Sequence, residues 1–379
     1  MSRLGHCGPP RLRGSQDSPR RFGVVSGFLL KLIRESIGLT QVRLAERLGV
    51  DVATVQGWES GRRPLAALRV ADLLRLRSRL LRCAAQPTAL ALLEDAIEAD
   101  LVIGESVQAG AELIDVDEHP LGVMLHQSTL TNLIIWPFTG ILPAELGVLP
   151  QRVRTRRGPV PDRPTITEEE RTRFFDHLLV TADSYSYEDA ALARQQAVYL
   201  LGFDTRVSTA EWLHVEQLRA LRNAGRIDRV PSWVAVRSSA VALAYTGDRD
   251  PLATFVRQAL ITDRQEQANL NYWAYWVGEI ESIQVDEEFM VCVDPRDWSG
   301  VRLLGHLLEG LHPGSAQAEL DIHTVWALLL AQPAMLANQP GLRSATTTMV
   351  EQLAADPDLN TQTRRELSDI AYAVRFARR

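Results

Sequence analysis

The residues best suited to chemistry lie in one short stretch, DVATVQGWESGRRP, at positions 51–64. Small, polar and apolar side chains precede a glycine, and two arginines, Arg62 and Arg63, follow it. This order is typical of a short helix that ends at the glycine and presents small and polar side chains to a partner. The chemistry available to such a segment is non-covalent binding.

The distribution of charge indicates what kind of partner this is. The 379-residue chain has a net charge of −6, yet residues 1–85 carry 16 Lys and Arg against 6 Asp and Glu, whereas the remainder carries 25 against 41. A basic N-terminal part on an acidic body favours a polyanion as the partner of the N-terminal part. Lysine occurs once, at Lys31, among 41 basic residues. That bias indicates a gene from a high-GC genome, such as that of an actinobacterium.

Residues for enzyme chemistry form no comparable pattern. The two histidines of HLLEGLH (306–312) are six apart, which does not place them on one helix face, and His119 and His126 are interpreted as structural. The sequence contains no glycine-rich phosphate loop and no serine elbow. We therefore expect no catalytic residue, no metal site and no cofactor, and the protein is not expected to be an enzyme.

The cysteines and the hydropathy indicate the compartment. Cys7, Cys83 and Cys292 lie far apart and are odd in number, which favours reduced thiols over a disulfide framework or a metal site. No apolar run is long enough to cross a bilayer, and no secretory signal is recognisable. We expect a cytoplasmic, nucleoid-associated protein without a membrane partner.

Helical periodicity and cap residues define the unit that positions the stretch at 51–64. Residues 26–82 predict a compact all-helical unit whose boundaries coincide with good cap residues. The predicted caps are, in chain order, Gly38, Thr40, Gly49, Asp51 and Gly61. Val55 and Trp58 are expected to face inward from the third helix. Pro64 is expected near the first turn of a fourth helix through Val70, Leu73 and Leu74.

The stretch LTQVRLAERLGVDVATVQGWESGRRP (39–64) resembles the helix-turn-helix of the Xre/Cro/phage-repressor family. The matching positions are Thr40-Gln41, Leu44-Ala45, Leu48-Gly49-Val50, Val55, Trp58-Glu59 and Gly61. The small Ala45 suits the close crossing of two helices, Gly49 suits the tight turn between them, and Trp58 suits closure of the core. The resemblance covers about 55 residues of the chain, and the alternative is a structural three-helix unit.

The resemblance implies that the helix of residues 52–59 enters the major groove of DNA. The DNA-binding residues that it implies are Gln41, Val52, Ala53, Thr54, Gln56, Gly57, Arg62 and Arg63. Gln56 would pair with adenine, and Gln41 would contact a phosphate or Gln56. Arg62 and Arg63 would contact the backbone, as would Arg43 or Arg47 less surely; solvated turn arginines are the alternative.

The expected base-reading surface is small and apolar. Val52, Ala53 and Gly57 stand where many members of the family have polar or basic side chains. Thymine methyl groups and DNA shape are therefore expected to carry more of the specificity, or the domain needs pairing to bind well.

The remaining chain is predicted to be helical, and the fold class is all-α. An N-terminal five-helix helix-turn-helix domain precedes a larger α-helical bundle or helical-hairpin, solenoid-like domain. The expected divisions are a disordered basic tail at 1–22, the helix-turn-helix domain at 23–82, a helical connecting region at 83–148, a Pro/Arg-rich linker at 149–165 and an α-helical C-terminal domain at 166–379. A valine-type start at Val24 or Val25 would place the tail outside the natural protein.

Two functions of different classes follow from this division. In the first, the protein is a sequence-specific transcriptional regulator that binds double-stranded DNA as a homodimer, and its helical domain dimerises, senses a small-molecule or peptide effector, or both. In the second, the helical body is a protein–protein interaction adaptor that the head tethers to DNA. The aromatic run NYWAYW (271–276) is expected to pack in the core, and it is the best sequence candidate for a sensor pocket or a dimer contact.

Overall fold

A computed structural model describes residues 22–147, 149, 162–185, 190–223 and 230–376. Eighteen α-helices and four short 3-10 helices lie in these ranges, which contain no β-strand, so the all-α prediction is confirmed. The expected basic tail, apart from Phe22, lies outside the described residues. So does most of the expected linker, of which the structure describes Leu149 and residues 162–165.

The N-terminal domain, called the head below, contains five helical segments. They are α1 (Val24–Ser36), α2 (Gln41–Leu48), α3 (Val52–Glu59), a 3-10 helix (Leu65–Ala67) and α4 (Val70–Arg82). The Thr40 hydroxyl accepts a hydrogen bond from the Arg43 amide at 3.2 Å, and Gly49 ends α2 with a φ of 64°, where a side chain would be strained. The predicted helix boundaries at these two residues are confirmed.

The head is built on a core shared by α1, α2 and α3. Ala45, Val55 and Trp58 are buried, as the sequence indicates. On α4, Leu76 and Leu80 are buried, while Val70 and Leu74 are 74% and 55% exposed. Pro64 precedes the 3-10 helix and α4 begins only at Val70, so the fourth α-helix starts later than the position of Pro64 predicts.

A single long helix, α5 (Pro87–Ala109), connects the head to the body. It packs against α1 on one side, and against α6 (Ser128–Thr139) and α7 (Glu168–Ser184) on others. On α6, Trp136 meets Phe28 of α1 edge to face, with ring centroids 5.3 Å apart. The buried apolar core of the head therefore continues through the connecting region.

The body is formed by consecutive helices that pack against their neighbours in sequence and space. The helices after α7 are α8 (Ala191–Leu201), α9 (Val207–Asn223), α10 (Val230–Tyr245), α11 (Asp250–Ala259), α12 (Asp263–Trp276), α13 (Phe289–Cys292), α14 (Val301–Gly310), α15 (Ala318–Ala331), α16 (Met335–Asn338), α17 (Pro340–Leu353) and α18 (Thr361–Phe376). Contacts run from α7 to α8, then to α10 and α11, and on to α15 and α18. This succession agrees with a bundle of helical hairpins.

Local sequence signals account for several of these elements. Thr167 and Glu170 form the capping box that the sequence predicts at the start of α7, with 2.8 Å between the Thr167 amide and the Glu170 carboxylate. Residues 240–260 form the returning pair α10 and α11, which turns at Gly247. A second buried core includes Leu125, Leu192 of α8 and Ala220 of α9, and it continues from α10 to α18.

Candidate nucleic-acid interface

The outward face of α3 consists of the residues at its N-terminal half. Ala53 and Gln56 are exposed, and Val52 and Thr54 are half-buried. Val55 and Trp58 lie on the opposite side, in the core. Because a helix repeats every 3.6 residues, burial of positions 55 and 58 leaves positions 53 and 56 facing away from the domain. This surface is the part of α3 that a groove could receive.

Gly57 lies one helical turn from Ala53 on the same face of α3, but it is covered and not directly open to a groove. It is buried, because the side chain of Arg63 folds back over it. A Cβ atom at Gly57 would lie 2.9 Å from Arg63 Cδ, so the absence of a side chain makes room for the arginine. The guanidinium of Arg63 then donates a hydrogen bond to Thr54 Oγ1 at 3.1 Å. The glycine thus places a positive charge on the outward face of α3.

Gln41 is joined to the end of α3 and not to Gln56. Its Nε2 donates to Glu59 Oε2 at 2.8 Å. The same carboxylate is bound by Arg34, with 2.5 Å from Nε to Oε1 and 2.9 Å from the second guanidinium nitrogen to Oε2. Arg34 also donates to the Leu39 carbonyl at 2.8 Å. One buried ion pair therefore ties α1, the turn before α2, and α3 together.

The sequence reasoning missed Arg34. Its position inside an apolar helix, together with a glutamate at the end of the third helix, was the available signal, since a buried guanidinium needs an acidic partner. Bidentate pairing fixes the orientation of α3 more tightly than apolar contacts do. The residues of this network support the binding surface and lie behind it.

The arginines of the head divide into two groups. Several are neutralised locally: Arg43 pairs with Glu46 at 3.0 Å, and Arg75 pairs with Asp72 at 2.7 Å. Arg47, Arg62 and Arg63 are exposed and form no ion pair with an acidic residue in the described ranges. These three guanidinium groups are available to phosphates, as are those of Arg69 and Arg82, which are also exposed and form no ion pair in the described ranges.

Two of the four histidines that the sequence analysis considered lie inside the fold. His119 and His126 are buried, and His119 Nε2 lies 3.1 Å from His177 Nε2. Burial and the neighbouring His177 lower the pKa of His119 to about 4. Among the described residues no three His, Cys, Asp or Glu side chains are grouped so as to hold a metal ion.

The short helix α3 has an outward polar half, lies next to unpaired arginines and packs by its other face on a small helical core. This arrangement is typical of a DNA-binding helix-turn-helix domain. Residues 30–76 match the helix-turn-helix family model, and this part of the chain is an Xre/Cro-type domain. The larger helical region is not recognised as a known family. Neither a curated protein nor a solved structure matches the chain. None of the described helices is long and apolar enough to cross a membrane.

Proposed function

We propose that the protein is a sequence-specific transcriptional regulator whose head binds the major groove of double-stranded DNA through α3. The observation that carries the proposal is the outward face of α3, where Gln56 is exposed and the Arg63 guanidinium lies beside Thr54. A glutamine amide pairs with adenine and an arginine pairs with guanine or with phosphate. Val52 and Ala53 supply the apolar contacts that suit thymine methyl groups.

The arginines outside α3 supply affinity. Arg62 is exposed in the turn after α3, and Arg47 is exposed near the end of α2. The amide of Gln41 is committed to Glu59, so its contact to a phosphate would use its remaining N–H. In this proposal the protein works in the cytoplasm, on the nucleoid, and has no catalytic role.

We also propose that the protein acts as a homodimer, because heads of this type bind two half-sites about one helical turn apart. An exposed apolar row on α4 supports pairing of the heads: Val70 is 74% exposed, Leu74 is 55% exposed and Leu81 is 44% exposed. Light scattering of the full chain, free and bound to DNA, tests this. A monomer in both states would contradict it, and Leu74→Glu is expected to shift a dimer towards monomer.

The experiment that tests the regulatory function is binding of the full chain to its own upstream DNA and to a scrambled duplex of equal length, at two salt concentrations. Fluorescence anisotropy is expected to show a preference of about a hundredfold or more that persists at the higher salt. Arg63→Ala should weaken binding, while Arg375→Ala, an equal charge change on an exposed arginine of α18, should not.

A DNA-tethered helical adaptor is the second candidate. It is favoured by the small number of base-reaching side chains on α3. An adaptor would bind both duplexes equally, and its binding would fall steeply with added salt, because phosphate contacts alone carry no sequence information.

A further inference from the structure

The body contains a cavity of about 300 Å³, a volume at the lower end of the range of small-molecule sites. It lies between α8, α10, α12 and α14, and the segment 310–317 closes one side. Five aromatic side chains line it: Tyr199, Tyr245, Tyr272, Trp273 and Trp276. Three of them belong to the run NYWAYW.

The cavity has a buried floor and an exposed rim. Arg237 and Asp321 lie in the floor and are 3% and 8% exposed. His306 and His312 lie at the rim and are exposed. A molecule entering past the histidines would therefore reach the two charged groups at the buried end of the cavity.

Arg237 is the feature that indicates a ligand. Its guanidinium lies 4.0 Å from the centroid of the Tyr272 ring and 5.3 Å from that of Trp273. It makes no hydrogen bond or ion pair with any residue that the structure describes, and its Nε atom is fully buried. The charge of Arg237 acts on Asp321 across the floor, but no acidic group is hydrogen-bonded to the guanidinium within the described residues. A carboxylate would satisfy the planar donors of this buried group with two parallel hydrogen bonds.

Two further polar groups of the floor lack partners within the described chain. They are Asp321 Oδ1 and the indole nitrogen of Trp273. Burial raises the pKa of Asp321 to about 7, so near neutral pH its carboxyl group both donates and accepts hydrogen bonds. A cation, a carboxyl group and an N–H donor thus converge on one aromatic cavity.

We propose that this cavity binds a small aromatic carboxylate. Its carboxylate pairs with Arg237, its ring stacks among Tyr272, Trp273 and Trp276, and a hydroxyl or amino group on it contacts Asp321. The closed floor and the modest volume suit a compact molecule and not an extended peptide chain. Binding in the cavity is independent of the proposed function of the head, because it is measured on the full chain without DNA.

Calorimetric titration of the full chain with three probes tests the proposal. Indole-3-acetate, indole-3-ethanol and tryptamine share one ring system and end in a carboxylate, a hydroxyl and an ammonium group. The carboxylate is expected to bind at least tenfold more tightly than the other two. Equal affinities, or no binding of indole-3-acetate at millimolar concentration, would overturn the proposal.

Two variants assign the binding to the floor. Arg237→Gln should abolish the preference for the carboxylate, whereas Arg264→Gln, at an exposed arginine of α12, should leave it unchanged. Asp321→Asn provides a second measurement if Arg237→Gln does not fold. It should weaken the binding of indole-3-acetate by about threefold or more and keep the order of affinity of the three probes. Unchanged affinity in a folded Arg237→Gln variant would place the ligand elsewhere.

Discussion

The carboxylate of Asp100, in the middle of α5, accepts both the backbone amide and the hydroxyl of Ser26 in the first turn of α1, at 3.0 and 2.6 Å. Its other oxygen accepts the Val25 amide at 2.8 Å. The first turn of a helix leaves its amides without intrahelical partners, and here a distant helix supplies the acceptor. The first helix of the head is therefore capped by the connecting region.

Asp100→Ala is expected to lower the free energy of unfolding by about 1–3 kcal/mol, because it leaves buried donors unsatisfied. Urea denaturation followed by circular dichroism measures this. Asp95→Ala, at a half-buried aspartate of the same helix, is the control and should lower the free energy of unfolding by less. Equal stability of the two variants would show that the contact with Ser26 does not support the head.

The buried pair His119 and His177 predicts a loss of stability in acid. The Leu121 amide donates to His119 Nδ1 at 3.1 Å, and His177 Nδ1 lies 3.1 Å from the Gly110 carbonyl, so the hydrogen bonds assign one neutral tautomer to each ring. Burial lowers the pKa of His119 to about 4 and lowers that of His177 as well. In the unfolded chain both protonate near pH 6.5.

Because these two rings bind protons in the unfolded state at a higher pH than in the folded state, their contribution to stability should be full above pH 6.5 and fall as the pH drops towards 4. Each histidine contributes up to about 1.4 kcal/mol per pH unit in the window. His177→Gln should flatten the dependence measured by urea denaturation. His214→Gln, at an exposed histidine, should not. The same pH dependence in His177→Gln and in the wild type would contradict the assignment.

Gly57→Ala is expected to weaken DNA binding without unfolding the head. The added methyl group would displace the flexible Arg63 side chain and remove its guanidinium from Thr54. The loss should be about 1.5–3 kcal/mol of binding free energy, the range for hydrogen bonds of charged groups. Anisotropy titrations of Gly57→Ala, Arg63→Ala and the double variant check this. The double variant should bind DNA no more weakly than Arg63→Ala does. Gly305→Ala, at an open position of α14, is the control and should bind DNA as the wild type does.

Gln56→Ala is expected to relax the preference at one base position by about 1–3 kcal/mol. The measurement is binding to a set of duplexes in which each position of the operator is changed in turn. Gln108→Ala, at an exposed glutamine of α5, should keep the wild-type profile. If Gln56→Ala also keeps it, Gln56 is not a base-reading residue.

Cap chemistry was predictable from the sequence because it depends on neighbours in the chain. Thr40, Gly49 and the pair Thr167 and Glu170 act within four residues of the helix ends they define. Trp58 was predictable as a buried residue because the spacing of a short amphipathic helix allows one inward face.

The rest depends on contacts that are distant in sequence. In α4, leucines lie on two faces, and packing against α2 selects Leu76 and Leu80 over Val70 and Leu74. The cavity joins Arg237 of α10 to Trp273 of α12 and Asp321 of α15, which no local pattern links. The aromatic run NYWAYW predicted core packing or a ligand pocket, but it gave no indication that Arg237 lies beside these rings.

The helix α5 has a consequence for the evolution of this protein. Helix α4 ends at residue 82, which would be the obvious junction for exchanging the head between proteins. A recombinant with that junction would take Ser26 and Phe28 from one parent, and their partners Asp100 and Trp136 from the other. The head is therefore expected to keep its stability in a recombinant only together with α5 and α6. New operator preferences are expected to arise by point substitutions on the surface of α3, and functional chimeras should carry their junction beyond α6.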